Sequence, residues 1–436
     1  MTINNLQVST DALIVTWTDA STTRVPSIWL RDNCPSGLHP DTHERLLDLL
    51  AVDDTPLLVS AQLEGDTALL AYADGHNSRM PVALIATTRL SGAEVDLGDI
   101  PAQLWRTGQA VVSIACHPAA AVLVDDAALN KWMQDTAAHG IAMINGLAGD
   151  GDAGVEIAKR IGFLRTTNFG TTFEVLNKPD PNNLAYTSIA LPLHTDLPNQ
   201  EVPPGYQFLH CLANEATGGG SLFADGFAMA ADLRTEDPDA FRLLCEVAIP
   251  FRFHDDTADI RIHRPVITLD SKGEVIEIRY NAHIAGVFEM PVDIMPAYYR
   301  AYRAYMAKTR DPMYRLAIKL EAGQMVVFDN RRILHGRDSF DPSTGIRHFR
   351  GCYVDRGEFR SRLRLLGRKT HRPRVGGLCA PALLRLSMRL ICIDGKNLAH
   401  VPLPLAQDTE ILLAVNQGVT QTEARASIGT PGAVHS

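Results

Sequence analysis

Apolar residues come in short runs along most of this chain, and the runs are of strand length. In residues 1–90, ALIVTWTD, RVPSIWLRD, ALLAYADG and SRMPVALI are separated by turn signals, which predicts a small β-rich domain. Residues 91–120, including GAEVDLGDIPAQLWRTG, read as a linker. The spacing then turns helical. AALNKWMQDTAAHG predicts a helix stopped by Gly140, and GDAGVEIAKRIGFL predicts an amphipathic one through Ile157, Ile161 and Leu164. IAMINGLAG, between them, reads as a strand and a turn.

From about 185 to 360 the strand-length runs return: YQFLHCLA, GGSLFADG, EVAIPFRFH, HRPVITLD, EVIEIRYN, QMVVFDN and HFRGCYVD. Helical patterning interrupts them near 225–246 and 292–309. The pattern predicts a mainly β domain with flanking helices over residues 121–366, a sandwich or barrel. After Leu366 the chain becomes basic and broken by Pro and Gly. Residues 367–436 are expected to be a partly disordered C-terminal extension.

Composition narrows the function classes. Of 436 residues, 46% are apolar and 21% charged, an ordinary globular balance. The net charge of −9, with no basic block, argues against nucleic acid as a partner. No apolar run approaches the roughly 18–20 residues of a membrane helix. The start, MTINNLQVSTDALIVTW, lacks a basic region followed by an apolar core, so no secretory leader is expected. Seven scattered cysteines suit a reducing cytoplasm better than a disulfide framework.

The chemistry concentrates in LPLHTDLPNQ, residues 191–200. In an extended segment residues i and i+2 point the same way, so His194 and Asp196 face one point. An imidazole and a carboxylate suit a first-row divalent ion, and His335, in MVVFDNRRILHGRDSF, is the candidate third ligand. Two histidines and one carboxylate leave three metal positions open, as oxygen activation requires. H-x-D pairs are more often caps or surface groups, but Arg347, twelve residues beyond His335, adds a planar fork for a carboxylate. 2-Oxoglutarate would place its 5-carboxylate there, and Ser221, in TGGGSLF, could offer it a hydroxyl. Arg350 competes with Arg347 for the role.

Together with WLRDNCP, IGFLRTTNFG, NNLAYTSIALPLHTDLP, PGYQFLHCLANEATGGGSLFADGF, FDNRRILHGRDSF and RHFRGCYVD, these residues resemble the Fe(II)/2-oxoglutarate dioxygenases of the taurine dioxygenase superfamily. Within it they are most similar to the γ-butyrobetaine hydroxylase family of carnitine synthesis. The resemblance spans roughly residues 10–366. It implies a double-stranded β-helix, or jelly roll, a small N-terminal domain and a homodimer. It further implies Fe(II), 2-oxoglutarate, O2, and ascorbate as reductant. It implies a structural zinc on three cysteines and a histidine. Cys34, His39 and His76 match three of these positions, Ser36 stands at the fourth, and His43 is a possible substitute.

The resemblance also implies a cage of aromatic faces for a small trimethylammonium substrate, at Phe169, Phe173, Tyr186 and Tyr353. Phe169 and Phe173, spaced four apart, could equally pack one face into the core. Asn183 matches a position that holds the substrate carboxylate. Asn281 is a further candidate with Tyr280 as its competitor, and Leu197 stands where some relatives carry tyrosine. The implied reaction is hydroxylation of γ-butyrobetaine to L-carnitine with release of succinate and CO2. Trimethyllysine, or a trimethylammonium phosphonate or sulfonate, is the alternative substrate. A metal-binding jelly roll without oxygenase activity is the alternative class.

Overall fold

The apolar runs sort into four buried cores, and each explains the elements around it. A computed structural model of the chain describes residues 2–89, 96–107, 114–177, 184–370, 391–393 and 396–398. Near the N-terminus two three-stranded antiparallel sheets form, Ile3–Val8, Ala12–Trp17, Thr22–Pro26 and Leu58–Glu64, Thr67–Tyr72, Asn77–Pro81. Alternation turns Leu13, Val15 and Trp17 of one toward Leu58, Leu70 and Met80 of the other.

Two runs read as strands are half helix. RVPSIWLRD ends its strand at Pro26 and coils over Ser27–Asp32; SRMPVALI does the same at Pro81 and Val82–Ala86. Proline cannot donate to a ladder, so each strand stops there. Beyond it the buried positions are spaced by three, Ser27 with Leu30 and Val82 with Ile85, which only a helix turns to one side.

The larger part is a jelly roll. One sheet has six strands in the order Cys116–Pro118, Ile141–Asn145, Met325–Asp329, Tyr206–Asn214, Arg347–Val354, Thr172–Val175. The other has four: Leu191–His194, Ile333–Arg337, Ser221–Asp225, Leu316–Ile318. Both sheets contribute to an inner core of Cys211, Phe223, Val326, Phe328, Ile333 and Phe349. The outer face of the six-stranded sheet is covered by the helices Asp126–His139, Asp152–Ile161 and Arg356–Thr370, through Trp132, Ile157 and Phe359. The outer face of the four-stranded sheet, with Leu193, Leu222, Ala224 and Leu334, is covered by Gly226–Glu236, Pro238–Glu246 and Met295–Arg310.

The helix expected near 225–246 is therefore two. Asp237 breaks it, capping the N–H of Ala240 at 3.0 Å with Pro238 at the first helical position. The helix expected to include Leu164 ends at Ile161; Leu164 instead bridges to Val354 and packs on the same core. The last described helix runs to Thr370, four residues past the change in sequence character at Leu366. Of the extension, the strands Ile391–Ile393 and Lys396–Leu398 are described and pair antiparallel. The remainder of the expected disordered tail, 371–390, 394–395 and 399–436, lies outside the described residues.

One buried ion pair locks the two sheets to the helices. Asp225, at the end of its strand, caps Phe227 and accepts from Arg332 Nε and Nη2 at 3.1 and 2.8 Å. The rest of that guanidinium donates to the carbonyls of Ala138 and Gln103. Neither side chain is more than 2% exposed. A buried pair whose guanidinium nitrogens all donate is tolerated, but removing one partner strands the other. Arg332→Met is expected to lower stability by ~3–5 kcal/mol, seen as an earlier urea midpoint. Lys159→Met, which removes an exposed pair with Glu156, is expected to leave the midpoint in place.

Candidate active site

The strands Leu191–His194 and Ile333–Arg337 run antiparallel, and His194 and His335 are direct cross-strand partners. Their rings lie 4.4 Å apart. Gly336 makes this approach possible: a Cβ there would sit 2.3 Å from the Leu191 carbonyl oxygen. Asp196 follows the strand and is pinned through its backbone. Asn330 accepts from its N–H at 2.7 Å and donates to its carbonyl at 3.0 Å. Thr195, between the two candidate ligands, exchanges hydrogen bonds with the Tyr280 backbone at 2.7 and 3.1 Å. Leu197 then takes φ 53°, which turns the chain away. Arg279 holds the carbonyls of Pro198, Gln200 and Glu201 beyond it.

The side chains converge. His194 Nε2 lies 3.3 Å and His335 Nε2 3.6 Å from the same oxygen, Asp196 Oδ1. One ligand atom from each residue falls within 4.8 Å of the others, and this is the sole group of its kind among the described residues. His194 Nδ1 is 2.9 Å from the Pro192 carbonyl. That contact puts the ring proton on Nδ1 and leaves the Nε2 lone pair facing the carboxylate. Tyr353 donates its hydroxyl to Asp196 Oδ2 at 2.7 Å. Burial pushes His335 down to about 3, so its imidazole is neutral as a metal ligand must be. Burial opposes ionisation of Asp196, while the Tyr353 hydroxyl donating to its carboxylate favours it, and the carboxyl lies below the usual range. Lone pairs and a carboxylate aimed at one point, with no Lys or Arg among them, fit a divalent cation, and this donor set suits Fe(II).

A cavity of about 300 Å³ opens from the triad. Arg347 lines it from the strand Arg347–Val354, stacked on Phe349 with 4.4 Å from guanidinium carbon to ring centroid. Its Nε donates to the Gly219 carbonyl at 3.3 Å; among the described residues its two terminal nitrogens make no hydrogen bond. Burial lowers its pKa to about 10, which leaves it charged at neutral pH. Ser221 lines the same end. Arg350 faces away from the cavity and pairs with Asp152 and Glu174, so it does not exchange roles with Arg347.

Phe169, Phe173, Tyr186 and Tyr353 all line the cavity. They reach it from unrelated elements, not one helix face. Phe169 sits in a turn closed by Thr167 and Gly170, Phe173 on an edge strand, and Tyr186 on the short helix Leu184–Tyr186. Phe173 stacks on Tyr353 at 5.0 Å. Gly351 leaves room for that ring, since a Cβ there would meet it at 2.4 Å. Asn281 and Leu197 line the cavity as well, whereas Tyr280 packs in the core against Tyr302 and Tyr305. Asn183 lies outside the described residues.

The N-terminal residues do not fit zinc. His76 Nε2 is 3.4 Å and the Ser36 and Ser78 hydroxyls 3.0 Å from Cys34 Sγ. His39 instead turns Nδ1 to the backbone N–H groups of Asp41 and Thr42. Cys34, His39 and His76 therefore do not form a group able to share an ion, and His43 does not complete one. Serine supplies a hydroxyl that bonds the thiol where a second thiolate would have bonded metal.

Several pocket residues escaped the sequence reading. Phe253 adds an aromatic face 5.3 Å from Phe169, Phe223 and Phe349 add two more, and Asn199, Gln207 and His283 add polar groups. Phe253 comes from a hairpin distant in sequence, and nothing local marks it. Arg337 did carry a signal: two residues after His335 on a strand, it shares that residue's side. Buried, it donates to the carbonyls of Leu184, Ala185 and Thr187 and so holds the segment bearing Tyr186.

The comparisons with known proteins agree with this geometry. Residues 118–353 match the model of the taurine catabolism dioxygenase TauD, TfdA family, and residues 4–80 match that of the γ-butyrobetaine hydroxylase-like N-terminal region. The chain belongs to the TauD/TfdA family, and it is a 2-oxoglutarate-dependent dioxygenase that uses Fe(II). Within the family, it is similar to γ-butyrobetaine dioxygenase of Pseudomonas sp. (strain AK-1), 44% identical over 81% of this chain and 93% of the relative. The human enzyme of that name is 30% identical over 81% and 93%. Human mitochondrial trimethyllysine dioxygenase is 30% identical over 79% and 83%. Among solved structures, an asparagine oxygenase in complex with Fe(II), hydroxyasparagine and succinate is 17% identical, with TM-score 0.43, over 55% of this chain and 83% of that one.

Hydrogen bonds to a charged group contribute ~1.5–3 kcal/mol each. Arg337→Met is therefore expected to raise hydrogen exchange across residues 184–189 by about tenfold or more, measured by mass spectrometry, with the helix Asp126–His139 unchanged.

Proposed function

We propose that this chain hydroxylates γ-butyrobetaine to L-carnitine, with His194, Asp196 and His335 as the iron ligands. One observation carries the choice of substrate class, a trimethylammonium compound. Among the described residues seven aromatic side chains line the cavity, and the one acidic residue in its lining is Asp196, which is committed to the triad. Among the described residues an ammonium with N–H groups would find no uncommitted acid to pair with there. A trimethylammonium group has no N–H to satisfy, and each aromatic face contributes ~0.5–2 kcal/mol. The 44% identity to a γ-butyrobetaine dioxygenase supports the same reading.

Iron with 2-oxoglutarate bound supplies the oxidation that converts a C–H bond to C–OH, turning 2-oxoglutarate and O2 into succinate and CO2. The protein's own part is placement. Arg347 holds the 5-carboxylate of the cosubstrate through its two free terminal nitrogens, with the Ser221 hydroxyl beside it. Phe169, Phe173, Tyr186, Tyr353 and Phe253 hold the cation. Asn281, which lines the cavity, is the proposed partner of the substrate carboxylate, and Asn183, outside the described residues, is the second candidate. The aromatic walls and Leu191, Leu197 and Leu209 keep water from the reacting carbon.

Trimethyllysine is the second reading, since a trimethyllysine dioxygenase is a relative and the same cage would serve. We place the enzyme in the cytoplasm as a homodimer. Cys34, Cys116, Cys211, Cys245 and Cys352 are free thiols, and among the described residues no helix is long and apolar enough to cross a membrane.

Two variants and a panel test the proposal. Asp196→Ala is expected to abolish substrate-dependent succinate formation; retained turnover would remove Asp196 as a ligand. Phe173→Ala is expected to raise KM for γ-butyrobetaine about 2- to 30-fold, the worth of one cation–π face. Its KM for 2-oxoglutarate should stay near wild type, and equal rises in both would argue against the cage. In a trimethylammonium panel read by product mass, faster turnover of trimethyllysine would replace the first reading with the second.

A further inference from the structure

Tyr353 touches both halves of the site at once. Its ring is a wall of the aromatic cage, stacked on Phe173 at 5.0 Å with 29° between the planes. Its hydroxyl donates to Asp196 Oδ2 at 2.7 Å. The two oxygens of Asp196 are thereby divided. Oδ1 faces both imidazoles, at 3.3 and 3.6 Å, and Oδ2 is occupied by the phenol. A carboxylate that met the metal through both oxygens would use a fourth position and leave too few for a chelating cosubstrate plus O2.

We propose that Tyr353 is a positioning residue that keeps Asp196 bound through one oxygen and links that arrangement to occupancy of the cage. The inference rests on reading His194, Asp196 and His335 as the metal centre. The phenol has little freedom to do otherwise. Its residue is paired with Gln207 across the central strands, and its carbonyl accepts from Arg165 N–H at 2.9 Å. Phe173 covers one face of the ring, through the space that Gly351 leaves. A cation seated in the cage presses on a ring that is braced from behind, and the brace leads to the carboxylate. Outer partners of metal ligands typically change metal affinity about 10- to 100-fold when removed. Coupling between two sites is reciprocal, so a substrate that braces the ring tightens the metal by the same factor as the metal tightens the substrate.

The test uses the full chain with Co(II) as a non-turnover probe in the presence of 2-oxoglutarate. Affinity is read by chelator competition, with and without γ-butyrobetaine. In the wild type, γ-butyrobetaine is expected to tighten Co(II) binding. Tyr353→Phe keeps the aromatic face and loses the hydroxyl. It is expected to weaken Co(II) about 10- to 100-fold, to abolish the tightening by substrate, and to consume 2-oxoglutarate without matching product in the Fe(II) enzyme. Tyr353→Leu should in addition weaken γ-butyrobetaine itself. Wild-type Co(II) affinity in Tyr353→Phe, or coupling that survives in it, overturns the inference and leaves the metal centre standing. Wild-type Co(II) affinity in Asp196→Ala overturns the metal centre, and this inference with it.

Discussion

Everything in this site depends on a register: His194 stands opposite His335 on two antiparallel strands. Side chains on a strand alternate with period two, so a slip of one residue would send one imidazole to the outer core and leave the other without a partner. Gly336 lets the backbones close to the distance at which the rings can share an ion. The remaining elements mostly defend that register. Asn330 fixes the backbone of Asp196, Thr195 is tied to Tyr280, and Arg332, the residue just before the His335 strand, is anchored to Asp225.

The electrostatics follow from burial. The inner core excludes water, so His335 is neutral. The same exclusion raises the cost of any uncompensated charge, and these buried charges are paired or line the cavity. Asp225 has Arg332, and Arg337 has three backbone carbonyls. Arg347 has two terminal nitrogens without a hydrogen bond among the described residues, and it lines the cavity that leads to the triad.

Much of this was legible in the sequence, and the gaps have physical causes. His194, Asp196, His335 and Arg347 were readable because strand alternation and a charged fork near a candidate ligand are local signals. The strand-length runs of the jelly roll were readable for the same reason. SIWLRD and VALIA were misread as strands, because a run of five or six residues does not distinguish period two from period 3.6. The break at Asp237 was written as an Asx-Pro pair and was overlooked inside a longer apolar pattern. Phe253 was invisible because its place in the pocket is set wholly by tertiary packing. At the N-terminus Ser36 and Ser78 hydrogen-bond the Cys34 thiol, and the three matching positions suggest zinc more strongly than their geometry supports.

Tyr353 grows from the central sheet and Tyr186 is strapped to the His335 strand, so neither can shift without disturbing the oxidising centre. Phe253 belongs to the two-stranded excursion Ile249–His254 and Asp259–Arg264, which pairs with neither sheet of the roll. The pocket is thus part fixed and part exchangeable. New diets of quaternary amines can be acquired by rewriting that ribbon, while the oxidation machinery is inherited intact.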